Sequence, residues 1–142
     1  MVAFACVSLA AHALSAHALA AQPSKRWQEI GETSTGNKVY VDPKSISTKD
    51  SIITATVRVV YAKPSDTPKG PITGSRAVAM FNCARKTVAV KETIIWHDEA
   101  KGTMYEKRTP KIPGYGPVFT SNFSGVALKY LCESKGPAKE KK

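Results

Sequence analysis

The side chains with chemistry to offer fall into three groups: cysteines at 6, 83 and 132, the run His97-Asp98-Glu99, and a large excess of lysine and arginine. A histidine beside two carboxylates has the ingredients of a metal site or an acid–base pair. Consecutive strand residues point to opposite faces, however, so these three do not converge, and one histidine with two neighbouring carboxylates is too small a ligand set for zinc. No G-x-S-x-G, H-E-x-x-H or glycine-rich phosphate loop occurs. A serine nucleophile would need His97 as its base, and nothing singles out a serine. No catalytic residue, metal site or cofactor is expected, and the chain does not read as an enzyme.

The cysteines are read through the N-terminus. Residues 1–20, MVAFACVSLAAHALSAHALA, contain no Lys, Arg, Asp or Glu and end in the small-x-small triplet Ala18-Leu19-Ala20. This predicts a secretory leader cut after Ala20. A transmembrane anchor fits less well, because the run is alanine-rich and carries His12 and His17. Cys6 follows Ala3-Phe4-Ala5, without the leucine that usually precedes a lipid-attachment cysteine, and is expected to leave with the leader. Two cysteines then remain in an oxidising compartment, and Cys83 and Cys132 are expected to form one disulfide. Closing a loop of about fifty residues stabilises a fold by roughly 4 kcal/mol on the chain-entropy model.

All 21 Lys+Arg and all 11 Asp+Glu lie beyond the leader, so the net charge of +10 belongs to the exported part. Arg85, Lys86, Lys91, Lys101, Lys107 and Arg108 are the candidate ligand-binding residues, dispersed in or beside the second half of the expected sheet. Such a field favours polyanions and weakens with salt. Lipopolysaccharide, anionic lipid head groups, sulfated glycans and acidic host proteins are the partners it suits. The plainer reading is a basic exported protein with no dedicated anionic ligand. Nucleic acid is a poor partner, since aromatic residues do not interleave with the basic ones.

These residues need elements to hold them. Ser75–Asp98 is the expected centre, with strands Arg76–Phe81 and Thr87–Trp96 and Cys83 near the bend. A two-residue period places Val88, Val90, Ile94 and Trp96 on one core-facing side, and Lys91 with Thr87, Ala89, Thr93 and Ile95 on the other. Before it come a hairpin over 27–41, an Asp42-Pro43 turn, and the long β-branched strand Ser51–Ala62 with Ile53, Ala55, Val57, Val59 and Tyr61 facing inward. Residues 63–72 and 109–117 are rich in proline and glycine and read as loops, with a short strand Thr103–Arg108 between them. Leu128, Leu131 and Cys132 recur at helical spacing, with Ser121, Asn122 or Ser124 as N-cap. The expected fold is α+β, mainly β: an antiparallel sheet of about five or six strands with one C-terminal helix packed on it and one disulfide. The core is expected to hold Trp27, Ile53, Val57, Val59, Phe81, Val88, Val90, Ile94, Trp96, Leu128 and Leu131. Residues 22–134 form the single domain and 135–142 a basic disordered tail.

The run Trp27-x-x-Ile30-Gly31-x-Thr33-x-x-Gly36-x-x-Val39-Tyr40-Val41-Asp42-Pro43-x-Ser45-Ile46 resembles the opening of the surface-adhesin protein E family of Gram-negative bacteria. The order of strands and the two-cysteine framework agree along the rest of the chain. The resemblance implies an exported domain, in the periplasm or on the outer surface, that binds host matrix or serum proteins and forms a homodimer. No ligand-binding motif of the family matches here, so no binding residue carries over. The alternative is a periplasmic structural or accessory domain with no host ligand.

Overall fold

Local turn chemistry builds the first half of the sheet. β1 (Gln28–Glu32) and β2 (Lys38–Val41) pair antiparallel. Between them, the Thr33 N–H donates to the Asn37 carbonyl at 2.9 Å, and Gly36 takes the positive φ of +84° that the reversal needs. Ile30 is skipped in the β1–β2 pairing and packs against the core. Asp42 then starts one turn of 3-10 helix, Pro43–Ser45, by accepting from the Lys44 N–H at 3.0 Å. β3 (Ser47–Lys49) turns into β4 (Ile52–Ser65) through Asp50 and Ser51, whose φ values of 50° and 62° are those of a primed two-residue turn.

The rest of the sheet follows by hairpins: β5 (Ile72–Asn82), β6 (Thr87–Asp98) and β7 (Thr103–Arg108). The strand order is β1-β2-β4-β5-β6-β7, antiparallel throughout. The short β3 adds to β4, and β8 (Gly116–Pro117) adds to the start of β6. α1 (Phe123–Glu133) closes the fold, with the Asn122 side chain accepting from the Ser124 N–H at 2.9 Å as its cap. Gly125 lets the helix start press on the preceding loop, because a Cβ there would lie 2.7 Å from the Phe119 carbonyl oxygen. This computed structural model describes residues 26–133; the expected leader and tail lie outside the described residues.

One face of the sheet lies under α1. Val39, Val41, Ala55, Val57, Ala79 and Phe81 are buried there against Ala127, Leu128 and Leu131. The Cys83–Cys132 disulfide ties the helix end to the β5–β6 turn, with the two Cα atoms 5.6 Å apart. The fold is thus the mainly β sheet with one docked helix that the sequence implies.

The expected inward face of β6 needs correction. Val88 and Val90 stand opposite Phe81 and Ala79 and pack on the core, half-buried. The register then jumps, with Val78 opposite Glu92 and Ala79 opposite Val90, so Lys91 is an extra residue in a β-bulge. Beyond it the parity is inverted. Ile94 stands opposite Arg76 and Trp96 opposite Gly74, on the face away from the helix. Lys91's expected face-mates are split likewise: Thr87 and Ala89 lie on one face, Thr93 and Ile95 on the other. Trp27 joins Trp96 on the face away from the helix, stacked with Arg76 and half-exposed rather than in the core. The two faces are named below the helix face and the open face.

Candidate binding surfaces

The six basic residues divide into two sets. Lys101 in the β6–β7 turn reaches Asp98 at 3.4 Å, Lys107 reaches Glu92 at 2.9 Å, and Arg108 reaches Glu106 at 2.8 Å. The Lys101 backbone N–H, and after it the Lys101 ammonium, hold the Asp98 carboxyl below its ordinary range, and the Arg108 hydrogen bond does the same for Glu106. Arg85, Lys86 and Lys91 make no ion pair among the described residues. Arg85 and Lys86 occupy the β5–β6 turn, at the opposite end of β6 from Lys101. Lys86 shares a cleft of about 380 Å³ with Lys129 of the helix, beside the disulfide. Lys91 projects from the bulge and is exposed. The structure therefore does not gather the six into one patch.

The open face carries an arrangement of another kind. A straight cross-strand row runs Tyr40, Arg58, Arg76, Ile94 over β2, β4, β5 and β6. Two arginines directly opposite each other repel. Glu99, from the β6–β7 turn, resolves the repulsion with one carboxylate: Oε2 lies 2.6 Å from Arg58 Nε and Oε1 2.6 Å from Arg76 Nη2. The Trp27 ring is faced by three guanidinium groups, those of Arg26 at 5.1 Å, Arg58 at 5.8 Å and Arg76 at 5.5 Å. Arg58 also lies over Tyr40, and Arg76 over Trp96, each at 5.8 Å.

Arg26 donates to Asp42 at 2.9 Å, which links this stack to the 3-10 turn. Burial pushes the Asp42 carboxyl up, but the Arg26 hydrogen bond and the Lys44 N–H together outweigh it and hold the group below its ordinary value of 3.8. Two donors in the stack have no partner among the described residues, Arg76 Nε and Trp96 Nε1, and both are buried.

The sequence carries a signal for this face. Straight alternation from Val88 through Val90 to Ile94 and Trp96 would put Glu92 in the core, and a lone carboxylate there marks a break in parity. Arg58 and Arg76 each stand among apolar strand residues, yet only the pairing register shows them opposite each other.

His97, Asp98 and Glu99 each turn to a different partner. His97 Nδ1 is 2.6 Å from the Pro71 carbonyl oxygen, Asp98 holds Lys101, and Glu99 holds the two arginines. The His97 ring packs edge-on against Tyr105 at 5.3 Å; each of the two is a residue skipped in the β6–β7 pairing. No cluster of three or more potential metal ligands occurs among the described residues. Nor is any helix of the described residues long and apolar enough to cross a membrane.

A family model described as surface-adhesin protein E matches residues 27–133. Among solved structures, crystal form II of Haemophilus influenzae protein E is similar at 15% identity, covering 78% of this chain and 89% of that chain with a TM-score of 0.51. Protein E from non-typeable Haemophilus influenzae is similar at 14% identity, covering 79% of this chain and 78% of that one with a TM-score of 0.49. At such identity the first of these speaks for the fold alone. No curated protein matches the chain.

Proposed function

Because the chain belongs to the surface-adhesin protein E family, we propose that it is an exported binding protein of the bacterial cell envelope whose partners are anionic. Host matrix or serum proteins are the partners the family suggests; anionic glycans and lipid head groups share the same chemistry. Export through the leader expected at residues 1–20 belongs to this reading. The observation that supports it most is the end of the sheet beside the disulfide. Arg85 and Lys86 lie there without carboxylate partners among the described residues, and Lys129 lines the same cleft as Lys86. Lys91 extends this cationic surface along β6, whereas Lys101, Lys107 and Arg108 spend their charge on neighbouring carboxylates.

Exposed cations act over a screening length that shrinks from about 10 Å at 0.1 M salt to about 3 Å at 1 M. Retention on immobilised heparin is therefore expected to fall steeply across that range and to weaken in Arg85→Glu/Lys91→Glu. The same double reversal at Lys101 and Lys107 should matter less. Salt-insensitive retention, or equal retention by the first variant, would overturn the reading. Protease shaving of intact cells tests location: a surface protein is removed, and a spared one is a periplasmic domain.

A further inference from the structure

We propose that Arg58 and Arg76 form a carboxylate-recognition site on the open face, with Glu99 as its built-in occupant and an acidic side chain of a partner polypeptide as the ligand that displaces it. The site stands apart from the basic end beside the disulfide, so it is tested, and fails, independently.

The spacing of the donors sets the chemistry. Glu99 spans the arginines with one oxygen each, at 2.6 Å and 2.6 Å, so the gap between Arg58 Nε and Arg76 Nη2 accepts the two oxygens of one carboxylate. A guanidinium offers a carboxylate two parallel N–H groups, and Glu99 takes one from each arginine. At Arg76 the same edge also carries Nε, which is buried and has no partner among the described residues. The second unpartnered donor, Trp96 Nε1, belongs to the ring on which Arg76 stacks at 5.8 Å, and Trp96 is only 9% exposed. Buried donors rarely go unpaired, and two on stacked neighbours mark a place where an acceptor fits.

Glu99 does not supply that acceptor, because its two oxygens are divided between Arg58 Nε and Arg76 Nη2. Its carbonyl accepts from the Gly102 N–H at 3.1 Å, which closes the β6–β7 turn. An untethered carboxylate that enters as the Glu99 side chain swings out can bridge Arg58 Nε and Arg76 Nη2 as Glu99 does, with the oxygen on Arg76 free to shift toward Nε as well. Charge agrees: Arg26, Arg58 and Arg76 face Asp42 and Glu99, leaving one positive charge over. Glu99 itself shows that a carboxylate fits between the two arginines, and an acidic side chain repeats that chemistry. Half-exposed Trp27 and Tyr40 beside it suit the aliphatic stem of a glutamate on a peptide.

Both tryptophans of the chain lie in this stack, so their emission reports on it alone. The full chain is titrated with a hexaglutamate peptide at about 0.1 M salt. A saturable change in emission is expected, about tenfold tighter in Glu99→Gln, where the internal competitor is uncharged, and lost in Arg76→Gln. Arg85→Glu/Lys91→Glu should titrate like the unaltered protein. No response in a folded Glu99→Gln protein overturns the proposal, as does an equal response to a sulfated heparin disaccharide. Should Arg76→Gln fail to fold, Arg58→Lys carries the test: it keeps the charge and removes the planar fork, and undiminished affinity there overturns the site.

Discussion

The same strands present two faces that are closed by different physics. On the helix face, Val39, Val41, Ala55, Val57, Ala79 and Phe81 meet Ala127, Leu128 and Leu131, and burial of apolar surface does the work. That attraction has no preferred direction, so it tolerates small shifts and leaves no donor unpaired. On the open face, no helix of the described residues covers Arg58, Arg76, Trp27 and Trp96, which close over one another with Glu99 between them. Ion pairs and ring contacts are directional, and here they leave Arg76 Nε and Trp96 Nε1 without acceptors. The first face is closed by apolar burial and the second by directional contacts that leave donors over, which is what the proposed carboxylate site draws on. One extra residue, Lys91, decides which face receives Trp96.

The largest effect should come from putting a charge on the helix face. Val57 is 1% exposed and stands opposite Val41 and Ala77, so Val57→Asp buries an unpaired carboxylate at a cost of several kcal/mol. Loss of the cooperative thermal transition is expected. A soluble variant with unchanged melting would mean that this face is not the core. Next is the staple: Cys83→Ser/Cys132→Ser opens a loop of 49 residues and should lower stability by roughly 4 kcal/mol in urea titration. Losing less than about 1 kcal/mol would show that the helix docks on apolar contacts alone.

Much of the helix face was legible because it repeats simple periods. Ala55, Val57 and Val59 alternate along β4, and Leu128 and Leu131 recur at helical spacing over Phe123–Glu133. The cysteine pair followed from counting. The open face was not legible in the same way. Its members are 72 residues apart in the chain at the extremes, from Trp27 to Glu99, and they meet only because the register sets Arg58 opposite Arg76. The bulge at Lys91 breaks the period that placed Ile94 and Trp96 on one face with Val88 and Val90, although Trp96 is still buried, and Glu92 was the residue whose type gave it away. The short β3 was missed because its partner is supplied by a turn at Asp50 and Ser51, neither of them glycine.

A smaller effect separates the faces again. Glu99→Gln keeps the shape of the open-face stack and removes the charge between two arginines, each more than a quarter exposed. Solvent screening limits the loss to about 1–2 kcal/mol, less than either change above. The loss should shrink in high salt, whereas the cost of Val57→Asp should not. Equal salt dependence for both variants would erase the distinction between the faces.

The smallest effect belongs to the rim of the open face, at Asp42, and it is a matter of pH. Arg26 and the Lys44 N–H hold the folded carboxyl below 3.8, its ordinary and hence unfolded value. A depressed folded value means that the unfolded chain takes up the proton first. The contribution is therefore fully present well above pH 3.8 and fades as pH falls through that value and then through the folded one. Asp98 and Glu106 are also depressed, from ordinary values of 3.8 and 4.5, so the acid limb of the whole protein does not isolate Asp42. Subtracting the stability of Asp42→Asn does. The difference should be level from pH 7 to about pH 5 and should shrink below it. Protonation also loosens Arg26 from Asp42, and Arg26 stacks on Trp27, so tryptophan emission should shift over the same range. A difference that stays level through the acid range would mean that neither Arg26 nor the Lys44 N–H favours the ionised Asp42, and that the stack ends at Trp27.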